Sequence, residues 1–455
     1  MNELQLSGEL DYDILDPRRL AAVLDSAKRL FTRLYKEGSG LGNWGLRESV
    51  WPALGAASAN DTKHLDIEPR LTLVPLSRIG ARGGFSGSDV LLAYFFDQNK
   101  KIYASHPLVL KLSEQKGLEG KLIDEERRAH QIRPYVAYNK ESFAVPIYLD
   151  TSSSSEFDVL WSPFALPELI ELGFRINLLN RDMRELLEPK KGGASGKIEQ
   201  IDELLGLLKS VYAVCQPLHT RAGLWGQYPR SFSEEYAKYL RHFQAEWGKE
   251  WITQWGRAET FEDGGRTLTN PIWVLERLRH AAKVRLTCGA VHGDLHPGNI
   301  LFSDPKTPSI IDFGWADPDA HLAKDYVLLE CNLRFTHLPG NTPISEVMKF
   351  TSWVGMNQEA PQIDHEWCRD AARAIASLRS LFRNRVEQLT ASAGRDLEVD
   401  WDLEYVVPLF LVSFGLLRFI DDYRNQIAAR EFVLHLADYL RRGVIPNLDI
   451  ELGVT

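Results

Sequence analysis

The chain has 455 residues, a formal charge of −9 and a hydrophobic content of 44 %, enough for two lobes and a sizeable buried core. Its acidic balance argues against a general nucleic-acid binder and permits a cationic substrate. The four cysteines, Cys215, Cys288, Cys331 and Cys368, have no paired spacing, which excludes a disulfide framework or a zinc site and points to reduced thiols in a cytoplasmic protein.

The N-terminal Met-Asn-Glu-Leu-Gln has neither a basic n-region nor an apolar h-region, so no signal peptide is expected. Asp16-Pro17 makes a good helix start and Gly38 a good stop. Between them Leu20, Val23, Leu24, Ala27, Leu30, Phe31, Leu34 and Tyr35 form an apolar stripe, expected to pack on the lobes that follow or to dock a protein partner. A strand is predicted over Leu71–Ile79 and another over Val90–Phe96, with Gly83, Gly84, Phe85, Ser86 and Gly87 in the turn between them. Such a turn lets backbone N–H groups approach phosphates unobstructed, although the same composition serves ordinary hairpins.

In the next strand, Pro107–Leu112, the two-residue period puts Leu108, Leu110 and Leu112 on one face and Val109 with Lys111 on the other. A lysine inside an apolar strand is costly unless its charge is paired. The following helix, Leu118–Arg133, offers a partner: Leu122, Glu125, Ala129 and Ile132 share one face, so Glu125 rather than Glu126 points inward. A Lys111–Glu125 pair is expected, the alternative being a surface lysine beside a solvated acidic face. Strands over Phe143–Leu149 and Phe157–Trp161, linked through the serine run Thr151–Ser155, complete a five-stranded antiparallel sheet.

Beyond Trp161 the chain turns helical. Gly192–Lys197 imitates a P-loop, but Lys191 stands where its first glycine belongs and Ile198 where Ser or Thr is needed. It reads as a linker. The next helix, near Ile198–Cys215, leads into Leu218-His219. Residues 291–302 then read Val-His-Gly-Asp-Leu-His-Pro-Gly-Asn-Ile-Leu-Phe, and Ile-Ile-Asp-Phe-Gly follows at 310–314. This pairing puts Asp294, Asn299 and Asp312 on loops at the ends of short apolar strands. Phosphoryl transfer needs that set: a carboxylate to orient an attacking hydroxyl, and an amide with a second carboxylate to hold Mg²⁺. The alternatives are solvated turn acids, or a motif kept by an inactive relative. No Ala-Pro-Glu follows, and Asp325 already opens a helix, so a long activation segment is absent and a small hydroxyl substrate is favoured. In the C-terminal helices, Arg373, Arg379, Arg383 and Arg385 read as a solvated face and Tyr405–Leu417 as a buried helix.

The segment His292-Gly-Asp294-x-His296-x-x-Asn299, with the Asp-Phe-Gly beginning at Asp312, resembles the aminoglycoside phosphotransferase and choline kinase-like branch of the protein-kinase-like fold. The resemblance implies that Asp294 is the catalytic base or hydroxyl-orienting group and that Asn299 and Asp312 are Mg²⁺ ligands. It implies that Lys111, paired with Glu125, reaches the α- and β-phosphates of ATP. Gly83-Gly84-Phe85-Ser86-Gly87 is similar to the family's Gly-Gly-x-Ser-Asn phosphate turn, with Gly87 in place of Asn, and Trp161–Ala165 takes the position of the adenine-binding hinge. His219 and His292 would then be structural, and Asp325 would tie down the catalytic loop. Since helices after Asp-Phe-Gly build the acceptor pocket in such small-molecule kinases, the resemblance also makes Asp364, Glu366, Asp421 and Asp422 candidates for binding a cationic substrate.

The expectation is therefore an α+β, protein-kinase-like two-lobe fold: a helical extension over 1–70, a nucleotide-binding lobe with a five-stranded antiparallel sheet over 71–163, and a mainly helical lobe over 164–455 carrying the loops of 291–314. The expected activity is ATP- and Mg²⁺-dependent phosphorylation of a small-molecule hydroxyl acceptor, with no nucleic acid or membrane involved. Two alternatives stay open: a kinase-like nucleotide-binding regulatory or conflict-system associated module, and an atypical protein kinase.

Overall fold

A computed structural model describes residues 17–36, 70–75, 89–96, 108–114, 121–136, 142–146, 148–151, 157–163, 169–172, 175–178, 181–187, 198, 200–220, 226–241, 246–302, 305–392 and 399–448. The fold is α+β, with small antiparallel sheets among many helices. The chain divides into two compact units. The first comprises Met1–Arg181, Leu301–Ser303 and Ser309–Ala316; the second comprises Asp182–Ile300, Asp304–Pro308 and Asp317–Thr455.

The first unit is built on a five-stranded sheet. Its strands are β1 (Arg70–Pro75), β2 (Asp89–Phe96), β3 (Leu108–Glu114), β4 (Tyr148–Asp150) and β5 (Phe157–Pro163), in the spatial order β1-β2-β3-β5-β4. Every neighbouring pair is antiparallel, and Lys111 of β3 stands between Val90 of β2 and Leu160 of β5. The period-two pattern sorts β3 as the sequence requires: Leu108, Leu110 and Leu112 are buried on one face. They join Leu91, Ala93, Val159 and Trp161 in one apolar cluster with Val23, Ala27 and Leu30 of α1 (Pro17–Lys36). The indole Nε1–H of Trp161 donates to Ser26 Oγ at 2.9 Å, and Arg29 donates to Asp150 at 2.7 Å. Val23, Ala27 and Leu30 of the N-terminal stripe thus pack on the sheet of their own unit, while Leu24 is exposed.

On the opposite face lies α2 (Lys121–Val136), whose Leu122, Glu125, Ala129 and Ile132 are all buried. The strand expected over Phe143–Leu149 is shorter: only β4 forms, because Pro146 has no N–H to donate to a ladder. Upstream of it, Ala144 N–H donates to Ile310 O at 3.0 Å and Ile310 N–H to Ser142 O at 2.7 Å. These bonds tie the Asp-Phe-Gly segment to this unit.

The second unit has a three-stranded antiparallel sheet at its centre. The middle strand, Val284–Val291, is flanked by Gly226–Arg230 and Asp317–His321, and its last six residues are buried. Around it pack helices that include α3 (Ile201–Val214), α4 (Gln216–Thr220), α5 (Lys324–Cys331), α6 (Glu366–Ser392), α7 (Val407–Leu416) and α8 (Gln426–Gly443). The continuous helical stretch Asp402–Asp422 is long and apolar enough to cross a membrane, but 72 % of its most apolar window is buried within the protein. It is apolar on all sides because it is surrounded by packed helices.

The arginines of α6 do not form the solvated face expected of them. Arg379 and Arg385 are buried, while Arg373 stays about half exposed. Arg379 Nε and Nη2 donate to Glu330 at 2.9 and 2.7 Å, and Arg334 Nε and the Tyr405 hydroxyl donate to the same carboxylate at 2.7 and 2.8 Å. Burial would raise the Glu330 pKa, but the two guanidinium groups outweigh it and hold it near about 2. The remaining donors of both arginines cap carbonyls of residues 350–355. A buried charge with this many partners is tolerated because no polar group is left unmatched.

Candidate functional site

In the first unit the sequence brings Lys111, Glu125 and Asp312 together. Lys111 Nζ lies 2.7 Å from Glu125 Oε1 and 3.3 Å from Asp312 Oδ2. The lysine and Glu125 side chains are 15 % and 9 % exposed, whereas Asp312 keeps 37 % and is the member of the group that faces solvent. Burial disfavours the ammonium, but Asp312 and Glu125 overcome that and push the Lys111 pKa up to about 12. For Glu125 burial wins: its carboxyl rises to about 7, with Lys111 opposing the shift and Asp312 adding to it. One ammonium cannot fully serve two carboxylates, and the more buried one carries the strain.

Asp312 is the sole described non-glycine residue with positive φ, at 64°. That conformation costs an L-residue free energy, least for Asp and Asn, and it marks a position whose direction is imposed by its surroundings. The next side chain supplies the anchor: Phe313 is fully buried, with its ring 6.2 Å from that of Phe143. Gly314 N–H is 3.5 Å from Asp312 Oδ1, at the outer limit for a bond.

In the second unit the buried strand Val284–Val291 delivers the loop carrying Asp294 and Asn299. Asp325, at the start of α5, has no exposed surface and accepts N–H bonds from His292 at 2.9 Å and from Gly293 at 2.7 Å. His219, at the end of α4, lies 3.1 Å from the same carboxylate through Nε2. These contacts keep the Asp325 pKa below the ordinary range, although burial alone would raise it. Gly293 has φ 78°, a turn that glycine makes without strain, and its carbonyl accepts from the Tyr239 hydroxyl at 2.7 Å.

Beyond the turn, residues Pro297–Asn299 form one 3₁₀ turn. His296 Nδ1 accepts from Gly298 N–H at 3.1 Å, and Asn299 Nδ2 donates to Asp294 O at 2.9 Å. The amide nitrogen of Asn299 is thereby directed at the backbone. Its oxygen, the atom a cation would need, is the end turned away from that carbonyl. Among the described residues no group of three His, Cys, Asp or Glu side chains forms a metal cluster. A Mg²⁺ bound through one or two protein oxygens, with phosphates and water completing its shell, needs no such cluster.

The structure thus groups Lys111 and Glu125 with Asp312, and Asp294 with Asn299, His219, His292 and Asp325. Gly83, Gly84, Phe85, Ser86 and Gly87 lie outside the described residues, as do Phe164, Ala165 and Gly192–Lys197. The proposed cation binders are outward-facing: Asp421 and Asp422 are exposed, and the Asp364 and Glu366 side chains are 94 % and 52 % exposed, beside Lys349 and Arg369 respectively. Sequence reasoning missed Tyr239 and Tyr212, whose hydroxyls hold Gly293 O and Asp325 O. A hydroxyl bonded to a remote carbonyl leaves no spacing signal, so only the fold reveals it.

Residues 218–413, less than half of the chain, match the profile of a family described as ternary complex associated domain 9. The matched span contains the Asp294 and Asp312 loops and starts at the end of α4, next to His219. No curated protein matches the chain.

Proposed function

We propose that this protein is an ATP- and Mg²⁺-dependent phosphotransferase of the kinase-like type, transferring the γ-phosphate to a hydroxyl group of a small molecule. The observation that carries the reading is Lys111, held at 2.7 Å by Glu125 and at 3.3 Å by the aspartate of Asp-Phe-Gly. Three residues from three separate stretches of chain converge there with the charges a nucleotide site requires. Lys111 would hold phosphates, with Glu125 fixing its position, and Asp312 would present its exposed carboxylate to the metal. Asn299 would offer its amide oxygen to the metal, and Asp294, on a loop fixed through Asp325, would orient the acceptor hydroxyl. Mg²⁺, bound with the nucleotide, would draw charge from the β- and γ-phosphates.

Nucleotide binding tests the assignment before any acceptor is known. Lys111→Ala should weaken Mg²⁺-ATP binding by about 10- to 100-fold, the cost of losing a charged phosphate contact. Asp294→Ala should leave that affinity within about twofold. Unchanged affinity in Lys111→Ala, or an equal loss in both variants, would contradict these roles.

A second reading rests on the family match: a kinase-like module that binds nucleotide inside a larger assembly. Tight Mg²⁺-ATP binding with no turnover on any acceptor would favour it, as would phosphate appearing on a co-purified protein for the related case of a protein kinase.

A further inference from the structure

Asn299 can serve as a metal ligand only if its amide oxygen keeps one direction, and the turn that carries it is short. Pro297–Asn299 make a single 3₁₀ turn, closed by Asn299 N–H donating to His296 O at 2.9 Å, and such turns hold their hydrogen bonds less well than an α-helix does. The side chain is tied at one end, where Nδ2 donates to Asp294 O. The backbone is gripped by another stretch of the same unit, Asp182-Met183-Arg184. Met183 N–H donates both to Pro297 O at 3.2 Å and to Ile300 O at 3.0 Å. One donor thus spans the turn, with Gly298 and Asn299 between its two acceptors.

Arg184 closes over the middle of that turn. A Cβ at Gly298 would stand 3.2 Å from Arg184 Cζ and 3.0 Å from His296 Cε1. The guanidinium group therefore lies against the Gly298 backbone, and an added methyl would have to displace one of the two side chains. The arginine is itself fixed. Asp182 Oδ1 accepts from Arg184 N–H at 2.9 Å and from Nε at 3.0 Å, and Asp182 Oδ2 accepts from Nη2 at 2.6 Å. This two-pronged match of carboxylate and guanidinium is directional as well as strong. With the two side chains only 22 % and 14 % exposed, it is screened little by solvent.

We propose that Arg184, locked by Asp182, is a positioning residue for the metal-ligating amide of Asn299. It acts through the backbone of Gly298: without the guanidinium the turn is free to rock, and the amide oxygen meets the cation in only a fraction of its orientations. Groups that aim a metal ligand influence metal affinity nearly as much as the ligands do. The inference rests on the phosphotransferase reading and adds to it the contacts that direct one of its metal ligands.

Calorimetric titration of the full-length protein with ATP, once with Mg²⁺ and once with EDTA in its place, tests this without requiring turnover. The quantity read is the factor by which Mg²⁺ strengthens ATP binding. Arg184→Ala and Asp182→Asn should each reduce that factor by about tenfold, as Asn299→Ala should, while affinity in EDTA stays within about twofold of wild type. Gly298→Ala displaces the guanidinium without removing its charge and should give the same loss. Arg184→Ala combined with Asn299→Ala should be no worse than Asn299→Ala alone, because the arginine acts only through that amide. Affinity that falls in step with and without Mg²⁺ would mark a merely structural role and overturn the proposal. So would a Mg²⁺ factor kept in Arg184→Ala and Gly298→Ala but lost in Asn299→Ala, which would leave the phosphotransferase reading intact. A wild-type affinity indifferent to Mg²⁺ would sink the metal assignment of Asn299 and Asp312, and this inference with it.

Discussion

Lys111 and Glu125 show how one pair of side chains sets a pH dependence. Glu125 holds its proton up to about pH 7 in the folded protein, against 4.5 for an ordinary glutamate. Between those values the unfolded chain ionises while the folded one does not. The contribution of this group to stability is therefore complete below about pH 4.5 and is lost as pH rises through about 7. Glu125→Gln mimics the protonated form and removes the dependence. From pH 5 to pH 8 its stability relative to wild type should improve by about 2–3 kcal/mol, read from paired denaturant melts. A constant difference across that range would contradict the assigned environment. The raised pKa of Lys111 has no effect in this window, since its stabilisation fades only at strongly alkaline pH.

The same pair marks what a sequence discloses. The two-residue period of β3 and the helical period of α2 each place one charged residue on an apolar face, and two such exceptions facing each other are forced to pair. Arg379 and Arg385 sit among arginines at similar spacing on α6, yet they are buried. Their partners, Glu330 and the carbonyls of residues 212 and 354–355, come from distant segments. Periodicity within one helix carries no trace of them. The turn residues of Asp312–Gly314 were legible as a motif, but not the left-handed backbone at Asp312.

At the scale of elements, the loop bearing Asp294 owes its shape to the approach of α4 to the central strand of the second unit. A Cβ at Gly289 would collide with the carbonyl oxygen of His219 and touch Leu322. Gly289→Ala should push back the end of α4, loosen the contact between His219 and Asp325, and release the two backbone N–H groups that Asp325 holds. Turnover should fall at least tenfold and thermal stability should drop, while Mg²⁺-ATP affinity changes little, because the lysine cluster belongs to the other unit. Loss of ATP binding equal to the loss of turnover would argue against this chain of contacts. In the first unit, α1 contributes Val23, Ala27 and Leu30 to the sheet's core. Val23→Asp would bury an unpaired carboxylate there, and a cost of about 3 kcal/mol or more is expected, measurable as a lowered melting temperature. An unchanged melt would mean that the helix is dispensable for the sheet. The sequence announced the stripe of α1, and its Val23, Ala27 and Leu30 are buried in the core of its own unit, whereas Leu24 is exposed.

For the whole molecule, the division into two compact units separates the groups that would hold phosphates from the loop that would direct the acceptor. The Asp-Phe-Gly segment belongs with the lysine cluster, although only a short stretch of chain separates it from the Asp294 loop. Its bonds to residues 142–144 explain why: backbone pairing with that segment, and the Phe313–Phe143 contact, bind it to the first unit. The fold class was legible because strands and helices segregate along the chain. The boundary was not, since a segment returning from residue 309 to pair near residue 143 leaves no mark in local composition.

The central claim is transfer of the γ-phosphate, and Mg²⁺-dependent ATP turnover by the purified full-length protein, with hydroxyl acceptors of anionic, neutral and cationic character, tests it most directly. Turnover should rise with an acceptor, require Mg²⁺, fall by about 10²–10⁴ in Asp294→Ala and vanish in Asp312→Ala. Turnover undiminished in either variant would contradict the account, because the activity would then reside outside the two loops on which it rests.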